Sequence, residues 1–300
     1  MNEKHLEPAA ARKQRTLWQE AWRRFKKNRL ALLSLAFLLI LAGAAVVTIV
    51  WDLADGQAFY RSSVIKQNLR LKLKGPSAAH IFGLDEFGRD MFLRMLWGIR
   101  YSLFMGMAGI AFSTLAGGAI GAVAGYYKRA DNVLMRAMDI LLAIPSMLLA
   151  TAIVAALGPG LVNVLIAISI AYVPTFARTV RASVLTVKEQ EFIEAARSVG
   201  ASDPRIITKY IVPNSLAPLI VQATLGVAGA ILSIAGLSFL GLGIQPPTPE
   251  WGSMLSNART YIRDAWHITM IPGLGIMLTI LALNLVGDGL RDALDPKLKS

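Results

Sequence analysis

The sequence predicts an all-α polytopic membrane protein with six transmembrane helices and a two-helix loop on the cytoplasmic side. Three observations carry that reading. Of 300 residues, 55% are apolar and only 17% charged, against about a quarter charged in a soluble chain, and the mean hydropathy is +0.51. Charge is also segregated: Ile140–Ala177 and Tyr210–Pro249 run 38 and 40 residues without an ion, where one bilayer crossing needs about 20. Nine Lys/Arg against three acids fill residues 1–29, directly before the first apolar run, as a cytoplasmic flank should. Disorder is excluded by so much apolar surface. The absence of cysteine excludes disulfide, iron–sulfur and cysteine–zinc sites. The net charge of +12 sits in flanks and loops, so it reads as topology and not as a nucleic-acid surface.

Residues 1–29 form a basic cytoplasmic tail. Trp18, Trp22 and Phe25 recur there at i, i+4 and i+7 among Arg23, Arg24, Lys26 and Lys27, the pattern of a short helix at the membrane interface. Residues 30–50 form the first span. The long basic region and full-length apolar run mark it as a retained helix, not a cleaved signal. Residues 51–100 are an extracytoplasmic segment in which 61–74 fits a charged helix or a strand equally well. Span two covers 101–125, and Lys128, Arg129 and Arg136 follow in a short basic loop. Gly158-Pro159-Gly160 divides the next run into spans three (137–157) and four (161–180). Span five covers 216–238 and span six 268–287, completing a five-helix core over 101–290, with a cytoplasmic tail at 291–300. Both termini then lie inside. Eight Lys/Arg in 51–100 oppose that orientation, but long loops weigh little in the positive-inside bias.

Gly109, Ser113, Gly117, Gly121 and Gly125 repeat every fourth residue in span two, a face for close helix packing. Pro145, Pro159 and Pro174 interrupt spans three and four or their link. No carboxylate lies mid-span, which counts against a proton- or sodium-coupled carrier, and no filter sequence or charged ring suggests a channel. No zinc-protease, nucleophile-elbow or phosphate-loop motif occurs, so no catalytic, metal or cofactor site is expected in this chain. Any energy must come from a partner.

The most informative segment is the loop 188–213. Glu189 to Val199 reads as a helix ended by Gly200. Ser202, Asp203 and Pro204 open a second helix with a capping residue and an early proline. Such a knob can dock into a partner, although an ordinary amphipathic connector fits the same pattern.

Glu194-Ala195-Ala196, followed by Gly200 and later Pro213, resembles the EAA loop of permease subunits of bacterial ABC importers. Tyr210 and Val212 stand where that consensus has isoleucine and leucine. Gly83–Leu103, Met138–Ala150, Phe239–Leu255 and Gly287–Lys299 resemble, in order, segments of the C-type permease of dipeptide/oligopeptide importers. The resemblance covers about residues 15–299 and implies the type I importer permease fold. It also implies an assembly in the bacterial inner membrane: a second homologous permease, two ATPase subunits holding ATP and Mg, and an extracytoplasmic solute-binding protein that delivers peptide. Glu194, Ala195, Ala196 and Gly200 map onto the coupling loop, with Asp203 and Arg205 on its second helix. Arg89, Asp90, Arg94 and Arg100 fall near the outer surface, as a structural ion-pair network or as gate or receptor contacts. The chain has Gly83-Leu84-Asp85 where relatives usually have Gly-Thr-Asp. It also lacks their proline-rich stretch after span one. Dipeptide import is the leading expectation; nickel chelates or glutathione are the alternative, and a membrane-embedded enzyme or scaffold a remote one.

Overall fold

The computed structural model describes residues 17–294, whose regular structure is helical apart from one isolated bridge between Leu84 and Asp90. Lys4, Arg12, Lys13, Arg15 and the last six residues of the tail lie outside that range, as does the side chain of Trp18. Helix α1 (Leu17–Phe25) and helix α2 (Arg29–Ala54) meet at Asn28, whose side chain accepts from Ala31 N–H at 3.1 Å. A helix does form where the basic tail is expected to carry one, and it has a protein partner. Ala21 and Phe25 are buried among Ala31, Val286 and Ala293, while Trp22 stays half exposed.

Between α2 and helix α3 (Met91–Tyr126) the chain forms a π-helical turn at Tyr60–Val64 and a 3-10 turn at Leu69–Leu71. Neither a long helix nor a strand occupies 61–74. Helix α3 begins ten residues before the uncharged stretch. Asp90 caps it by accepting from Leu93 N–H at 3.1 Å, and the charges of Arg94 and Arg100 are paired inside the protein.

The expected basic loop and third span take another form. Helix α4 (Lys128–Leu142) already contains the basic residues, and helix α5 (Ser146–Leu157) leaves it at 85°. Pro145 stands at the break, where its missing N–H and restrained predecessor oppose a continuous helix. Helix α6 (Leu161–Lys188) follows, then helix α7 (Glu191–Ser198) and helix α8 (Asp203–Ile206). A π-helical turn at Ile207–Ile211 joins α8 to helix α9 (Val212–Phe239). The second helix of the knob is therefore no separate piece: Asp203–Phe239 is one 37-residue helical stretch. Helix α10 (Trp251–Ala258) and helix α11 (Trp266–Leu294) complete the chain.

Five stretches, α2, α3, α6, α8–α9 and α11, are long and apolar enough to cross a membrane, and the bent α4–α5 pair makes six when taken as one crossing. Packing fixes their directions. Gly109 meets Ile168 and Gly125 meets Val184, so α3 and α6 run parallel. Gly106 meets Ile231 and Gly226 meets Ile110, so α9 runs opposite to α3. Helix α11 ends beside α1, with Gly289 against Phe25 and Ala31. The start of α2, the ends of α3, α6 and α11, and the knob α7–α8 thus share one end of the molecule, called the knob end below. The opposite end holds residues 55–90 and 240–265.

Candidate functional site

The knob has one face buried and one face open. Ile193 and Ala196 of α7, Ile206 of α8 and Ile211 pack against Ala122, Tyr126, Val180 and Val184 at the ends of α3 and α6. Glu194, Ala195, Asp203 and Arg205 are exposed, and so are Phe192 and Val199, the latter 85% exposed. Solvated valine and phenylalanine beside carboxylates are what a docking face offers. Between the helices Gly200 adopts φ +80°, with open space where a side chain would begin. Its N–H bonds Arg197 O at 2.9 Å, and Ala201 N–H bonds Ala196 O at 3.0 Å, closing α7 as a left-handed glycine end does.

Tyr126 lies under the knob and is 6% exposed. Its hydroxyl donates to Asp203 Oδ1 at 2.5 Å and receives a long bond from Arg197 at 3.5 Å. The Arg197 guanidinium sits 5.6 Å and the Lys188 ammonium 5.4 Å from the ring centre. Lys188 Nζ also donates to the Tyr126 carbonyl at 2.7 Å, at the end of α3 where helix carbonyls lack intrahelical partners.

Gly109, Ser113, Gly117, Gly121 and Gly125 of α3 all face α6. A Cβ on Gly117 would stand 2.5 Å from Val173 O, and one on Gly121 would strike Ala177 O. On Gly125 it would stand 2.7 Å from Val184 Cβ. Ser113 Oγ bridges the carbonyls of Gly109 and Ser169, 2.8 Å from each. Two ion pairs then fasten α4 to α6: Arg181 grips both oxygens of Asp131, and Arg178 reaches Asp139 at 2.6 Å.

At the opposite end the four singled-out charged residues have partners within the chain. Asp85 is a hub. Its Oδ1 accepts from Phe87 and Arg89 N–H, both at 2.9 Å, and its Oδ2 accepts from Arg89 Nε at 2.6 Å and faces Arg94 Nε at 3.3 Å. Arg94 also donates to Pro247 O at 3.1 Å. Arg89 and Arg94 side chains are each 2% exposed. Asp90 meets His80 at 2.7 Å, and Arg100 meets Asp52 at 2.6 Å, with Trp97 donating to the same carboxylate. Burial raises the Glu86 carboxyl above its ordinary range, and the neighbouring Asp85 charge adds to the effect. Glu250 caps α10, accepting from Gly252 N–H at 2.7 Å, Ser253 N–H at 2.8 Å and Ser102 Oγ at 3.2 Å. It is 1% exposed, and burial lifts its carboxyl as well.

The structure thus gathers Glu194, Ala195, Ala196, Gly200, Asp203 and Arg205 on one knob, and sets Arg89, Asp90, Arg94 and Arg100 into inward-facing pairs. Sequence reasoning missed Tyr126, Asp85, Asp52 and Glu250. Only the carboxylates carried a signal: acids flanking long apolar runs need partners. Among the described residues no three His, Asp or Glu side chains stand close enough to hold a metal ion.

Comparison with known proteins agrees with this architecture. The profile of the family described as binding-protein-dependent transport system inner membrane component matches residues 91–300, and that of the N-terminal TM domain of oligopeptide transport permease C matches 16–76. A dipeptide transport system permease protein DppC of Alkalihalophilus pseudofirmus is 49% identical over 288 residues, covering 94% of this chain and 91% of its own. A di/tripeptide permease DppC of Pseudomonas aeruginosa is 46% identical over 287 residues, covering 94% and 93%. A glutathione transport system permease protein GsiD of Escherichia coli is 44% identical over 290 residues, covering 95% and 92%. An inward-facing structure of the MetNI methionine ABC transporter shares the fold at TM-score 0.54 and 17% identity, over 68% of this chain and 98% of its own. With that profile matching residues 91–300, the chain belongs to the binding-protein-dependent transport system inner membrane component family.

Proposed function

We propose that this chain is a permease subunit of an ATP-driven importer of short peptides, forming half of the translocation pathway. The observation that carries the mechanism is the knob: an exposed face at the membrane end of a bundle, its buried face set on α3 and α6, its second helix continuous with α9. A partner that moves this knob moves helices directly. The partner is an ATPase, present in two copies that hold ATP and Mg, and the knob end faces the cytoplasm. A second, homologous permease completes the pathway, and a binding protein delivers peptide at the opposite end. Dipeptides are the favoured cargo, because the relatives of 46% and 49% identity carry di- or tripeptide names. The glutathione permease, at 44%, supports a second reading in which the cargo is that modified tripeptide.

The test is a purified complex in lipid, with subunit ratio, ATP hydrolysis and peptide uptake measured on one preparation. Gly200→Val forces a β-branched residue to φ +80°, a strain of about 1–3 kcal/mol, and should lower ATPase attachment. Glu194→Ala should leave the subunits attached while weakening peptide-stimulated hydrolysis and uptake together, because the two movements are linked equilibria. Full attachment, stimulation and uptake in Gly200→Val would remove the loop from the coupling role.

A further inference from the structure

We infer that Tyr126 is a positioning residue that ties the knob to α3, so that α3, α6 and α9 respond to it as one body. The inference rests on the coupling role of the loop. The covalent chain carries motion from the knob to two helices only: α6, through the short link at Glu189 and Gln190, and α9, through the unbroken stretch from Asp203. Helix α3 has no such connection. Among the described residues, the hydrogen bonds between α3 and the knob α7–α8 both meet at the Tyr126 hydroxyl, which donates to Asp203 and accepts from Arg197.

Geometry gives this single tie a long reach. Asp203 is the first residue of the helical stretch that becomes α9, so the hydroxyl–carboxylate bond fastens α9's root to α3's end. Helix α3 in turn cannot slide on α6, because Gly117 and Gly121 let α6 carbonyl oxygens seat against its backbone. Without the bond, α7 still moves α6 and the α3 locked to it, and α8 still moves α9, but α9's root is no longer fastened to α3, so α9 falls out of step with the α3–α6 pair. The rigid ring remains in the apolar cluster with Val180, Val184 and Ile206, so loss of the hydroxyl alone leaves the packing in place.

Tyr126→Phe in the assembled complex should keep the subunit ratio but lower peptide uptake per ATP hydrolysed about tenfold or more, the range for losing a hydrogen bond to a charged acceptor. Asp203→Ala should do the same, and the double variant should fall no further than either single one, as partners in one bond do. Asp203→Asn keeps an acceptor oxygen and should retain most of the uptake per ATP; a general charge or helix-start effect would make it as poor as alanine. If Tyr126→Phe assembles badly, the Asp203 pair decides alone. Wild-type uptake per ATP in Tyr126→Phe, additive losses in the double variant, or equal loss in Asp203→Asn and Asp203→Ala would each overturn the tie. These results differ from failure of the coupling role itself, in which Gly200→Val is also fully active.

Discussion

Glu250 shows how one buried carboxylate organises the end opposite the knob. Without it, the first N–H groups of α10 would be buried unpaired, at a cost of about 1–3 kcal/mol each. Burial lifts its carboxyl, and the N–H bonds of Gly252 and Ser253 only partly oppose that. The sign of the pH effect follows. A native carboxyl raised above its unfolded value, about 4.3, binds protons more readily when folded, so its contribution to stability falls as pH rises through that interval. Above the raised native value the contribution is flat. Thermal unfolding of wild type and Glu250→Gln, compared at rising pH above about 4.3, should therefore show the wild-type advantage shrinking as pH increases. A constant difference, or one that grows with pH, contradicts this account. Glu250→Ala should be the least stable of the three at every pH, since it leaves both N–H donors and Ser102 without their acceptor.

Among the elements, the α3–α6 pair sets the tightest constraint, because its backbones touch. Gly117 and Gly121 face α6 carbonyl oxygens, which have no rotamer by which to yield, whereas Gly118 has open space at the Cβ position. Alanine at 117 or 121 should thus destabilise the protein by about 1–3 kcal/mol, the usual range for overpacking, with Leu worse. Gly118→Ala should be neutral or slightly stabilising, since alanine favours helix. Equal behaviour of all three alanine variants, in thermal unfolding and in recovery of the assembled complex, would show that the stripe does not determine packing. This stripe was legible in the sequence because small residues at a four-residue period have one physical use. The spans were legible for a similar reason: an uncharged run has few alternatives to a bilayer. The start of α3 was not, because Arg94 and Arg100 look solvated until Asp85 and Asp52 are folded against them. Pro145 was visible, but whether a proline kinks a span or turns it by 85° depends on its neighbours, here α6 with its grip on Asp131 and Asp139. Tyr126 read as the end of a span, since its partner Asp203 lies 77 residues further on.

For the whole molecule, orientation decides whether the knob can meet an ATPase at all. Charge gives the direction. Arg23, Arg24, Lys26, Lys27 and Arg29 cluster at the knob end just before α2, where flanking cations weigh most heavily. Lys188 at the end of α6, and Arg197, Arg205 and Lys209 in the short connection to α9, join them. Of the eight Lys/Arg in residues 51–100, Arg89, Arg94 and Arg100 are withdrawn into ion pairs with Asp85 and Asp52. Those three present no free charge to the inner leaflet, so the exception to the positive-inside bias is smaller than the sequence alone suggests. The knob end should therefore be cytoplasmic. Since the chain has no cysteine, an introduced thiol reports without background, and Ser62 and Ser198 are both exposed, one at each end. In intact cells, an impermeant thiol reagent should label Ser62→Cys from outside and leave Ser198→Cys untouched until the membrane is opened. Labelling in the reverse order would place the knob away from the ATP supply. The coupling role of Glu194 and Gly200 would fail with it, and so would the tie through Tyr126.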